Sequence, residues 1–439
     1  MISRVGVGIV GFGTVGTGVA KILLENAALI SRRVGVPIEL VRIVDLDVTR
    51  DRGLTLPPGL LTTDATQVLN DPSVDIVVEL VGGCDFAKRI ILESIAAGKQ
   101  VVTANKALLA LHGEEIFAAA SRKGVDVGFE ASVGGGIPVI QALREGLAAN
   151  TIQSIYGIIN GTANYILSTM TREGHSFDSV LSEAQQAGYA EADPTFDVAG
   201  IDSAHKLAIL ASLAYGTPVN FKDVYTEGIT HITPLDIAYA KEFGCTIKLL
   251  GIAKSVGNEV EARVHPTMLP SSFPLAQVEG VYNAIQFIGD VVGDVMLYGR
   301  GAGAMPTGSA VVSDLIAITR NLLKGAVGRV PASSFQQDQR RPLRMRPMEE
   351  ISSLYYLRFM VLDRPGVLSQ IAGELGRCGI SISSVLQQGR RDGQTVPVVI
   401  KTHLAIERDV QTALQAINLM AFISEPTTLI RIEDRRVMR

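Results

Sequence analysis

Short apolar runs alternate with longer amphipathic stretches over about the first 130 residues of the chain. The apolar runs are typical of buried strands, which are predicted at 5–10, 38–44, 74–80, 100–103 and 125–129. The stretches between them repeat their apolar positions at helical spacing and predict helices over about 15–28, up to 97 and from 106. This alternation predicts an α/β domain with a parallel sheet over 1–130.

A glycine-rich turn stands between the first predicted strand and the first predicted helix. It reads Gly11-Phe12-Gly13-Thr14-Val15-Gly16. In such a turn the first glycine permits a tight bend, the second lets the backbone approach a pyrophosphate, and the third lets helix pack on strand. The N-terminus of the helix then faces the phosphates. The motif therefore predicts a Rossmann-type domain that binds a dinucleotide.

Polar residues follow the carboxyl ends of several predicted strands, where ligands of such sheets bind. Asp45 follows the second strand and Lys106 follows the fourth, so Lys106 is a candidate for contact with cofactor or substrate. Asp45 suits the free ribose diol of NAD, whereas Arg50 and Arg52 suit the 2′-phosphate of NADP. The sequence leaves the choice between NAD and NADP open.

The regular alternation stops near residue 130, and a region of mixed pattern follows. Further strand and helix patterns are predicted at 152–159, 162–171, 202–215 and 309–323. We expect an α+β substrate and dimerisation domain over 131–303. The segment 304–323 is expected to return to the nucleotide domain.

Acids and a lysine are concentrated between Gly188 and Lys206, in a turn-rich segment that leads into the predicted helix 202–215. Asp202 and Lys206 are four residues apart and therefore share one face of that helix. Glu191 lies upstream, across a loop with proline and glycine that can fold back towards this face. Two acids and an ammonium group at one point can bind a small zwitterion and move a proton. Alone, an aspartate and a lysine at this spacing are usually a solvated surface pair.

A second glycine-rich turn reads Glu130-Ala131-Ser132-Val133-Gly134-Gly135-Gly136-Ile137-Pro138. A carboxylate beside a bent backbone with inward carbonyl oxygens can hold a hard cation. The spacing alone indicates such a site only weakly, and a structural turn is the simpler interpretation.

The C-terminal part of the chain divides into a linker and a small module. Residues 324–350 are rich in proline, arginine, glutamine and serine and predict the linker. Over 351–434 the pattern reads β-α-β-β-α-β, which predicts a ferredoxin-like module. Its predicted elements are 354–361, 365–378, 380–387, 395–402, 409–419 and 428–432. Pro365 is expected at or near the first turn of the first helix. The loop 363–366 before that helix suits the carboxylate of an effector.

The composition further limits the class of protein to which the chain can belong. A chain of 439 residues is expected to form two or three domains. The net charge of −4 gives no sign of a nucleic-acid partner, and no segment has the unbroken apolar length of a membrane span. Cys84, Cys245 and Cys378 are far apart and fit reduced thiols of a cytoplasmic protein rather than disulfides or a zinc site.

Taken together, the motifs resemble those of the homoserine dehydrogenases over nearly the whole chain. The matching segments are Gly11–Gly16, Val101-Val102-Thr103-Ala104-Asn105-Lys106-Ala107, Glu130–Pro138, Asn160-Gly161-Thr162-Ala163-Asn164-Tyr165, Gly188–Lys206, and Gly301-Ala302-Gly303 with Pro306-Thr307. The tail resembles an ACT domain, a small-molecule sensor that many members carry. No aspartate kinase precedes the fold, so the monofunctional form is expected.

The resemblance implies an NAD- or NADP-dependent interconversion of L-aspartate 4-semialdehyde and L-homoserine, which serves threonine, methionine and isoleucine synthesis. It implies that Lys206 is the general acid or base and that Lys106 acts between cofactor and substrate. Glu191 and Asp202 are implied as substrate-binding residues. Which of the two lysines is the main proton donor remains open.

The resemblance also implies the other ligand sites. The implied cofactor contacts are Gly11, Phe12, Gly13, Thr14, Val15, Gly16, Thr103, Lys106, Gly188 and Gly303. A structural sodium ion is implied at Glu130 and the backbone carbonyls of Val133, Gly135 and Ile137. Asp363 and Gly366 are candidates for contact with a threonine effector. ACT modules usually pair through their sheets, so a homodimer or homotetramer is expected.

Two other classes remain for comparison. A dehydrogenase that forms a cysteine-bound thioester needs an activated thiol with a basic partner, and Cys84 is the only cysteine near a predicted strand end. A non-catalytic amino-acid sensor built on the ACT module would not need Glu191, Asp202 and Lys206. A turnover assay separates these classes.

Overall fold

A computed structural model describes residues 2–387 and 394–434 of the chain. The first part alternates strands and helices. Its strands are β1 (Val5–Val10), β2 (Ile38–Val44), β3 (Leu61–Thr62), β4 (Ile76–Glu79), β5 (Gln100–Thr103) and β6 (Val127–Gly128). Its helices are α1 (Thr14–Glu25), α2 (Ala27–Val34), α3 (Thr66–Leu69), α4 (Asp85–Ala96) and α5 (Lys106–Lys123).

The middle part is mixed. Its helices are α6 (Val139–Gln141), which continues into a π-helical turn, α7 (Gly161–Glu173), α8 (Phe177–Gln186), α9 (Thr195–Val198), α10 (Ile201–Tyr215), α11 (Pro234–Glu242) and α12 (Ala304–Lys324). Its strands are β7 (Ile152–Ile158), β8 (Tyr225–Thr226), β9 (Cys245–Val256), β10 (Glu259–Pro270), β11 (Tyr282–Gly289) and β12 (Gly293–Arg300).

The last part holds the small module. Its strands are β13 (Arg344–Met345), β14 (Ser352–Leu362), β15 (Ile382–Gln387), β16 (Thr395–Thr402), β17 (Ala405–Ile406) and β18 (Ile423–Ile432), and its helices are α13 (Val367–Arg377) and α14 (Glu407–Asn418). In the described part of the chain, no helix combines the length and the apolar character needed to cross a bilayer.

The chain forms two compact units, each made of three segments. The first contains the chain up to Gly161, Asp202–Val224 and Val281–Leu343. The second contains Thr162–Ile201, Tyr225–Gly280 and the chain from Arg344 on. The predicted domain boundaries, including the return of 304–323 to the nucleotide domain, stay a prediction.

The first unit is built on a parallel sheet in the order β3-β2-β1-β4-β5-β6. This is the doubly wound order, with the switch point between β1 and β4, so the Rossmann-type prediction is confirmed. Helix α12 packs against α1 so closely that a Cβ on Gly18 would lie 2.3 Å from the Ala304 carbonyl oxygen. Val19, Val311 and Leu315 belong to the same core. The first unit also contains the antiparallel strands β12-β11-β7.

The second unit is built on a sheet in the order β9-β10-β18-β14-β16-β15. Strands β14 to β18 with α13 and α14 form the predicted β-α-β-β-α-β module, whose apolar core includes Phe359, Ile371 and Val410. Strand β18 pairs in parallel with β10, where Thr267 lies opposite Arg431. The sheet of the module is thus continuous with the β9–β10 hairpin.

Several element boundaries differ from the predictions for identifiable reasons. The first helix was expected to run unbroken to about residue 28, but Asn26 leaves the helical conformation and separates α1 from α2. Helix α13 begins only at Val367, because Gly366 takes a left-handed φ of 88°. Pro365 therefore precedes the helix instead of standing in its first turn. The chain after Gly301-Ala302-Gly303 becomes helical at Ala304, earlier than the predicted start at 309.

Candidate active site

Asp202 lies in the first turn of α10, and its side chain is buried between two lysines of the first unit. The ammonium nitrogen of Lys206, one turn along the helix, lies 2.6 Å from Asp202 Oδ2. The ammonium nitrogen of Lys106, the first residue of α5, lies 2.6 Å from Asp202 Oδ1. The structure therefore brings three of the predicted site residues together around one carboxylate.

The electrostatics of this cluster favour its charged form. Burial alone would raise the pKa of Asp202, but the ammonium groups of Lys206 and Lys106 hold it well below its usual range. The side chain of Lys206 is 10% exposed and that of Lys106 is 35% exposed. One lysine is thus enclosed, while the other remains accessible from the solvent.

Two groups that the sequence analysis did not single out complete the cluster. Lys206 Nζ donates a hydrogen bond to the Ile159 carbonyl oxygen at 2.7 Å. The side-chain amide of Asn160 donates to Asp202 Oδ2 at 2.9 Å. Both residues follow β7 directly. A buried strand that ends in a polar residue was the signal that could have indicated Asn160.

Local geometry places the two lysines. Gly200, with a φ of 83°, ends the preceding turn and lets α10 start at Ile201, so Asp202 falls in the first turn. Asn105 caps α5, since its side-chain oxygen accepts a hydrogen bond from the Leu108 backbone N–H at 3.1 Å. The cap fixes the start of α5 and therefore the position of Lys106.

The glycine-rich turn of the first unit is shaped to receive a pyrophosphate. Gly11 has a φ of 103°, and a Cβ there would lie 2.6 Å from the Leu80 backbone. A Cβ on Gly16 would lie 2.2 Å from the Gly11 carbonyl oxygen, whereas Gly13 faces open space. Helix α1 begins at Thr14 without a side-chain cap, so its first backbone N–H groups are available to an anion.

The residues at the end of β2 hold this turn in place. The backbone N–H of Phe12 donates to Asp45 Oδ2 at 2.6 Å, and Arg52 Nε donates to the Phe12 carbonyl oxygen at 2.7 Å. The guanidinium of Arg52 also lies 4.9 Å from the centre of the Phe12 ring. Two of the three candidates for discrimination between NAD and NADP, Asp45 and Arg52, are thus bonded to the turn itself. Arg50 is exposed at the same strand end.

The other predicted cofactor and substrate contacts are dispersed. Thr103 ends β5, and its hydroxyl donates to Glu79 Oε2 at 2.6 Å. Gly303, with a φ of 119°, immediately precedes α12. Gly188 follows α8 in the second unit, and Glu191 lies exposed in the next turn of that unit. The binding of one substrate by both Glu191 and Asp202 stays a prediction.

Glu130 is buried in the second glycine-rich turn. Its two carboxylate oxygens accept hydrogen bonds from the Ile140 and Gln141 backbone N–H groups at 2.8 and 2.7 Å. Its own backbone N–H donates to Asp314 Oδ2 at 2.8 Å. Burial and the charge of Glu130 raise the pKa of Asp314 to about 8. The carbonyl groups of Val133, Gly135 and Ile137 belong to the same turn, and a cation held by them and Glu130 stays a prediction.

The predicted effector loop borders a cavity in the module. The cavity has a volume of about 330 Å³, and its lining includes Asp363, Gly366, Leu368, Gln387 and Val398. It lies at the start of α13, so backbone N–H groups and apolar side chains meet there. A cavity of this size accommodates a small amino acid.

Cys84 lacks the properties of a nucleophile. It precedes α4, and burial together with the charges of Asp85 and Glu79 raises the pKa of its thiol. A catalytic cysteine needs a lowered pKa and a basic partner. The thioester chemistry considered above therefore gains no support from the structure.

A glycine-rich turn at the switch point of a doubly wound sheet, together with a buried lysine–carboxylate cluster, defines a nicotinamide-dependent oxidoreductase. Comparisons with known proteins agree and are more specific. The family model "Homoserine dehydrogenase" matches residues 138–316, "Homoserine dehydrogenase, NAD binding domain" matches 11–130, and "ACT domain" matches 355–418.

Similarity to individual proteins extends over the whole chain. The homoserine dehydrogenase of Neisseria gonorrhoeae is 48% identical over 430 residues, which cover 98% of this chain and 99% of that protein. The crystal structure of a homoserine dehydrogenase from Thiobacillus denitrificans has 47% identity and a TM-score of 0.93, with 98% of each chain covered. A hyperthermophilic archaeal homoserine dehydrogenase in complex with NADPH has 29% identity and a TM-score of 0.62, covering 72% of this chain and 98% of that chain.

The chain belongs to the homoserine dehydrogenase family, and it is an NAD(P)-dependent oxidoreductase with a C-terminal ACT domain. The recognition made from the sequence motifs is confirmed.

Proposed function

We propose that Lys206 is the proton donor and acceptor when this homoserine dehydrogenase interconverts L-aspartate 4-semialdehyde and L-homoserine. The observation that supports this role is the position of the Lys206 ammonium, 2.6 Å from Asp202 Oδ2 and 2.7 Å from the Ile159 carbonyl oxygen. Two acceptors on the protein fix the direction of the ammonium group before the substrate arrives, as general acid catalysis requires.

The bound nicotinamide supplies or accepts the hydride at the substrate carbon. When the aldehyde is reduced, its oxygen becomes an alkoxide, and Lys206 gives that oxygen a proton. In the reverse direction, a neutral Lys206 removes the hydroxyl proton of homoserine. Oxidation of homoserine therefore speeds up as the pH rises, because a larger fraction of the lysine is then neutral.

Asp202 and Lys106 support this proton transfer. The Asp202 carboxylate accepts from both ammonium groups, so it bridges the two lysines and stabilises their positive charge. Lys106 is more exposed and lies at the start of α5, where it can contact both cofactor and substrate. Glu191, an exposed acid of the second unit, is proposed to attract the α-ammonium of the substrate.

The cofactor is a nicotinamide dinucleotide, and its precise form is part of the proposal. The archaeal relative was crystallised with NADPH. In this chain Arg50 is exposed at the end of β2, while Asp45 bonds to the Phe12 backbone. The Asp45 carboxylate is thus occupied, whereas the Arg50 guanidinium is available for a 2′-phosphate. We therefore propose that the enzyme prefers NADP. Side-by-side kinetics with NAD and NADP test it.

A sodium ion and a threonine effector complete the proposed ligands. Sodium would be held by the buried Glu130 carboxylate and the carbonyl oxygens of Val133, Gly135 and Ile137, which are the oxygen ligands that a hard cation takes. Threonine would bind in the cavity near Asp363 and Gly366. We expect threonine to inhibit the full chain, and Asp363→Ala to require roughly tenfold more threonine for the same inhibition, by loss of about 1.4 kcal/mol of binding.

The chain is proposed to act in the cytoplasm as a homodimer or homotetramer. Its three cysteines are free thiols. Strand β12 is the last strand of its sheet, and its side chains Met296 and Tyr298 are 39% and 54% exposed. A long edge strand with exposed apolar side chains favours pairing with a second chain.

Replacement of Lys206 tests the main proposal. Lys206→Met should lower kcat for homoserine oxidation by roughly 10²–10⁴-fold, the usual contribution of a positioned acid or base, while cofactor binding stays intact. Lys206→Arg keeps the charge but cannot release a proton near neutral pH, so it should be similarly slow. Lys21→Met, on the exposed face of α1, is the matched control. Near-normal turnover by Lys206→Met would transfer the role to Lys106 or to water.

A further inference from the structure

Glu79 is a buried acid of the first unit that the mechanism above does not use. It is the last residue of β4, beside the switch point of the sheet, and its side chain has no solvent exposure. Its Oε1 accepts a hydrogen bond from the Val81 backbone N–H at 2.7 Å, and its Oε2 accepts from the Thr103 hydroxyl at 2.6 Å. In the described part of the chain, no cationic side chain forms an ion pair with it.

A buried carboxylate without a cation is costly, so its retention needs a reason. Strands β4 and β5 are neighbours in register, with Glu79 opposite Thr103. This register places the acid beside the loop that leads to Lys106. The position points to a role in that loop rather than in the core.

A chain of hydrogen bonds runs from Glu79 to the start of α5. The Thr103 hydroxyl donates to Glu79, and its oxygen accepts from the Asn105 backbone N–H at 3.0 Å. The Asn105 side chain caps α5 through the Leu108 N–H at 3.1 Å. The side-chain amide of Asn105 also donates to the Gly83 carbonyl oxygen at 2.7 Å.

The end of this chain is the lysine of the active site. Lys106 follows Asn105 directly, as the first residue of α5, and its ammonium nitrogen lies 2.6 Å from Asp202 Oδ1. Any change in the Thr103–Asn105 loop therefore changes where Lys106 presents its charge.

We infer that Glu79 is a positioning residue, which acts through Thr103 and Asn105 to hold Lys106 beside Asp202. The inference rests on the proposed role of Lys106 in the reaction and names a residue that controls it. With Glu79 ionised, the Thr103 hydroxyl donates its single proton to the carboxylate and accepts from the Asn105 backbone N–H, so the direction of both hydrogen bonds is defined.

The acid is also poised to respond to pH. Burial raises the pKa of Glu79 to about 7, against the opposing hydrogen bonds from Thr103 and Val81. The other titratable groups described at this end of the sheet include Asp45 and Arg52 after β2, Cys84 and Asp85 at the start of α4, and Lys106 at the start of α5. Burial and the charges of Asp85 and Glu79 raise the pKa of Cys84 further from neutrality. Protonation of Glu79 as the pH falls through about 7 would loosen the loop and lower activity.

A double-mutant cycle with Lys106 tests the inference. Glu79→Ala should lower kcat/KM for homoserine by roughly 10- to 100-fold, the cost of a misplaced catalytic group. In the Lys106→Met background the same substitution should change kcat/KM by less than about twofold, because its effect passes through the lysine. Equal losses in both backgrounds would overturn the inference, since they indicate a general structural role.

The cycle also distinguishes this inference from the proposed function. If Lys106→Met alone leaves kcat/KM unchanged, the role of Lys106 fails, whatever Glu79 does. If Lys106→Met is slow but Glu79→Ala is as fast as wild type, only the inference fails.

The conservative variant Glu79→Gln gives a second test, which remains valid even if Glu79→Ala does not fold. Glu79→Gln preserves the shape of the side chain but cannot ionise, and its amide nitrogen donates where a carboxylate oxygen of Glu79 accepts, so the variant resembles the protonated acid at every pH. The wild type should lose kcat/KM below pH of about 7, and Glu79→Gln should not show that break. An unchanged pH profile in Glu79→Gln would overturn the inference.

Discussion

The two compact units each bury a carboxylate against cationic side chains, but the cations are of different kinds. In the first unit Asp202 lies between Lys106 and Lys206, each at 2.6 Å. In the second unit Glu407 receives two hydrogen bonds from Arg431, at 2.9 and 2.6 Å. A lysine is a mobile point charge that can release its proton, whereas an arginine presents a fixed fork and stays charged. The lysine cluster is thus suited to chemistry and the arginine cluster to structure.

The arginine contacts of the second unit connect the ACT module to the rest of that unit. Arg431 of β18 also donates to Glu227, just beyond β8, at 2.8 Å. Arg358 of β14 donates through two nitrogens to Asp236 of α11, at 2.7 and 3.0 Å. The Asp236 and Arg431 side chains are almost entirely buried. Because the sheet is also continuous from β10 to β18, the module is joined to its unit both by strand pairing and by buried ion pairs.

The comparison predicts that the largest loss of stability follows removal of an arginine. Arg431→Met leaves Glu407 buried without its cation and removes a partner of the half-buried Glu227. We expect the free energy of unfolding to fall by about 3–5 kcal/mol, the usual cost of breaking a buried ion pair. Thermal and denaturant unfolding of the two proteins measure the difference.

Arg408→Met is the matched control, because Arg408 forms an exposed ion pair with Asp409 in the same module. Its cost should stay within about 1 kcal/mol. Equal costs for the two variants would mean that the buried network contributes little. The same network complicates truncation before the module, since loss of activity in a shortened chain would reflect unpaired buried charges as well as lost regulation.

Much of the first unit could be predicted because its signals are local. The glycine turn Gly11–Gly16, the strand periods and the i,i+4 spacing of Asp202 and Lys206 each determine structure over a few residues. The position of Lys106 against Asp202 could not be derived in this way. The two residues are far apart in the chain, and only the resemblance to the family joined them.

The links between distant segments account for most of what was missed. Asn160 became recognisable only when β7 placed it beside Asp202, and Glu79 only when β4 and β5 came into register. The predicted linker illustrates the same limit. Its composition indicated a free polar connection, yet Arg344 and Met345 form β13 and pair with β10. Composition reports local flexibility and cannot report a partner strand elsewhere in the chain.

The second unit also contains a buried lysine, Lys248, which can be compared directly with Lys206 of the first unit. Lys248 of β9, in the second unit, is 2% exposed, and its ammonium donates to the Val278 carbonyl oxygen at 2.6 Å. It also donates to Asn164 Oδ1 at 3.2 Å and Ser168 Oγ at 3.3 Å. Unlike Lys206, it has no carboxylate within ion-pair distance among the described residues. Burial, partly opposed by the charge of Glu279, lowers its pKa to about 8.

The sign of the expected pH effect follows from this lowered pKa. Between about pH 8 and 10.5 the unfolded chain keeps the Lys248 proton that the folded chain has lost, so this residue makes folding more favourable as the pH rises. From pH 7.5 to 9.5 its contribution to the free energy of unfolding should increase by about 2 kcal/mol. Lys248→Met removes that contribution, so the stability of the variant relative to wild type should fall by the same amount over this interval.

Lys241→Met, exposed on α11, should show no such trend. Denaturant unfolding at the two pH values measures the difference, and a pH-independent gap between Lys248→Met and wild type would show that Lys248 keeps an ordinary pKa without a carboxylate partner.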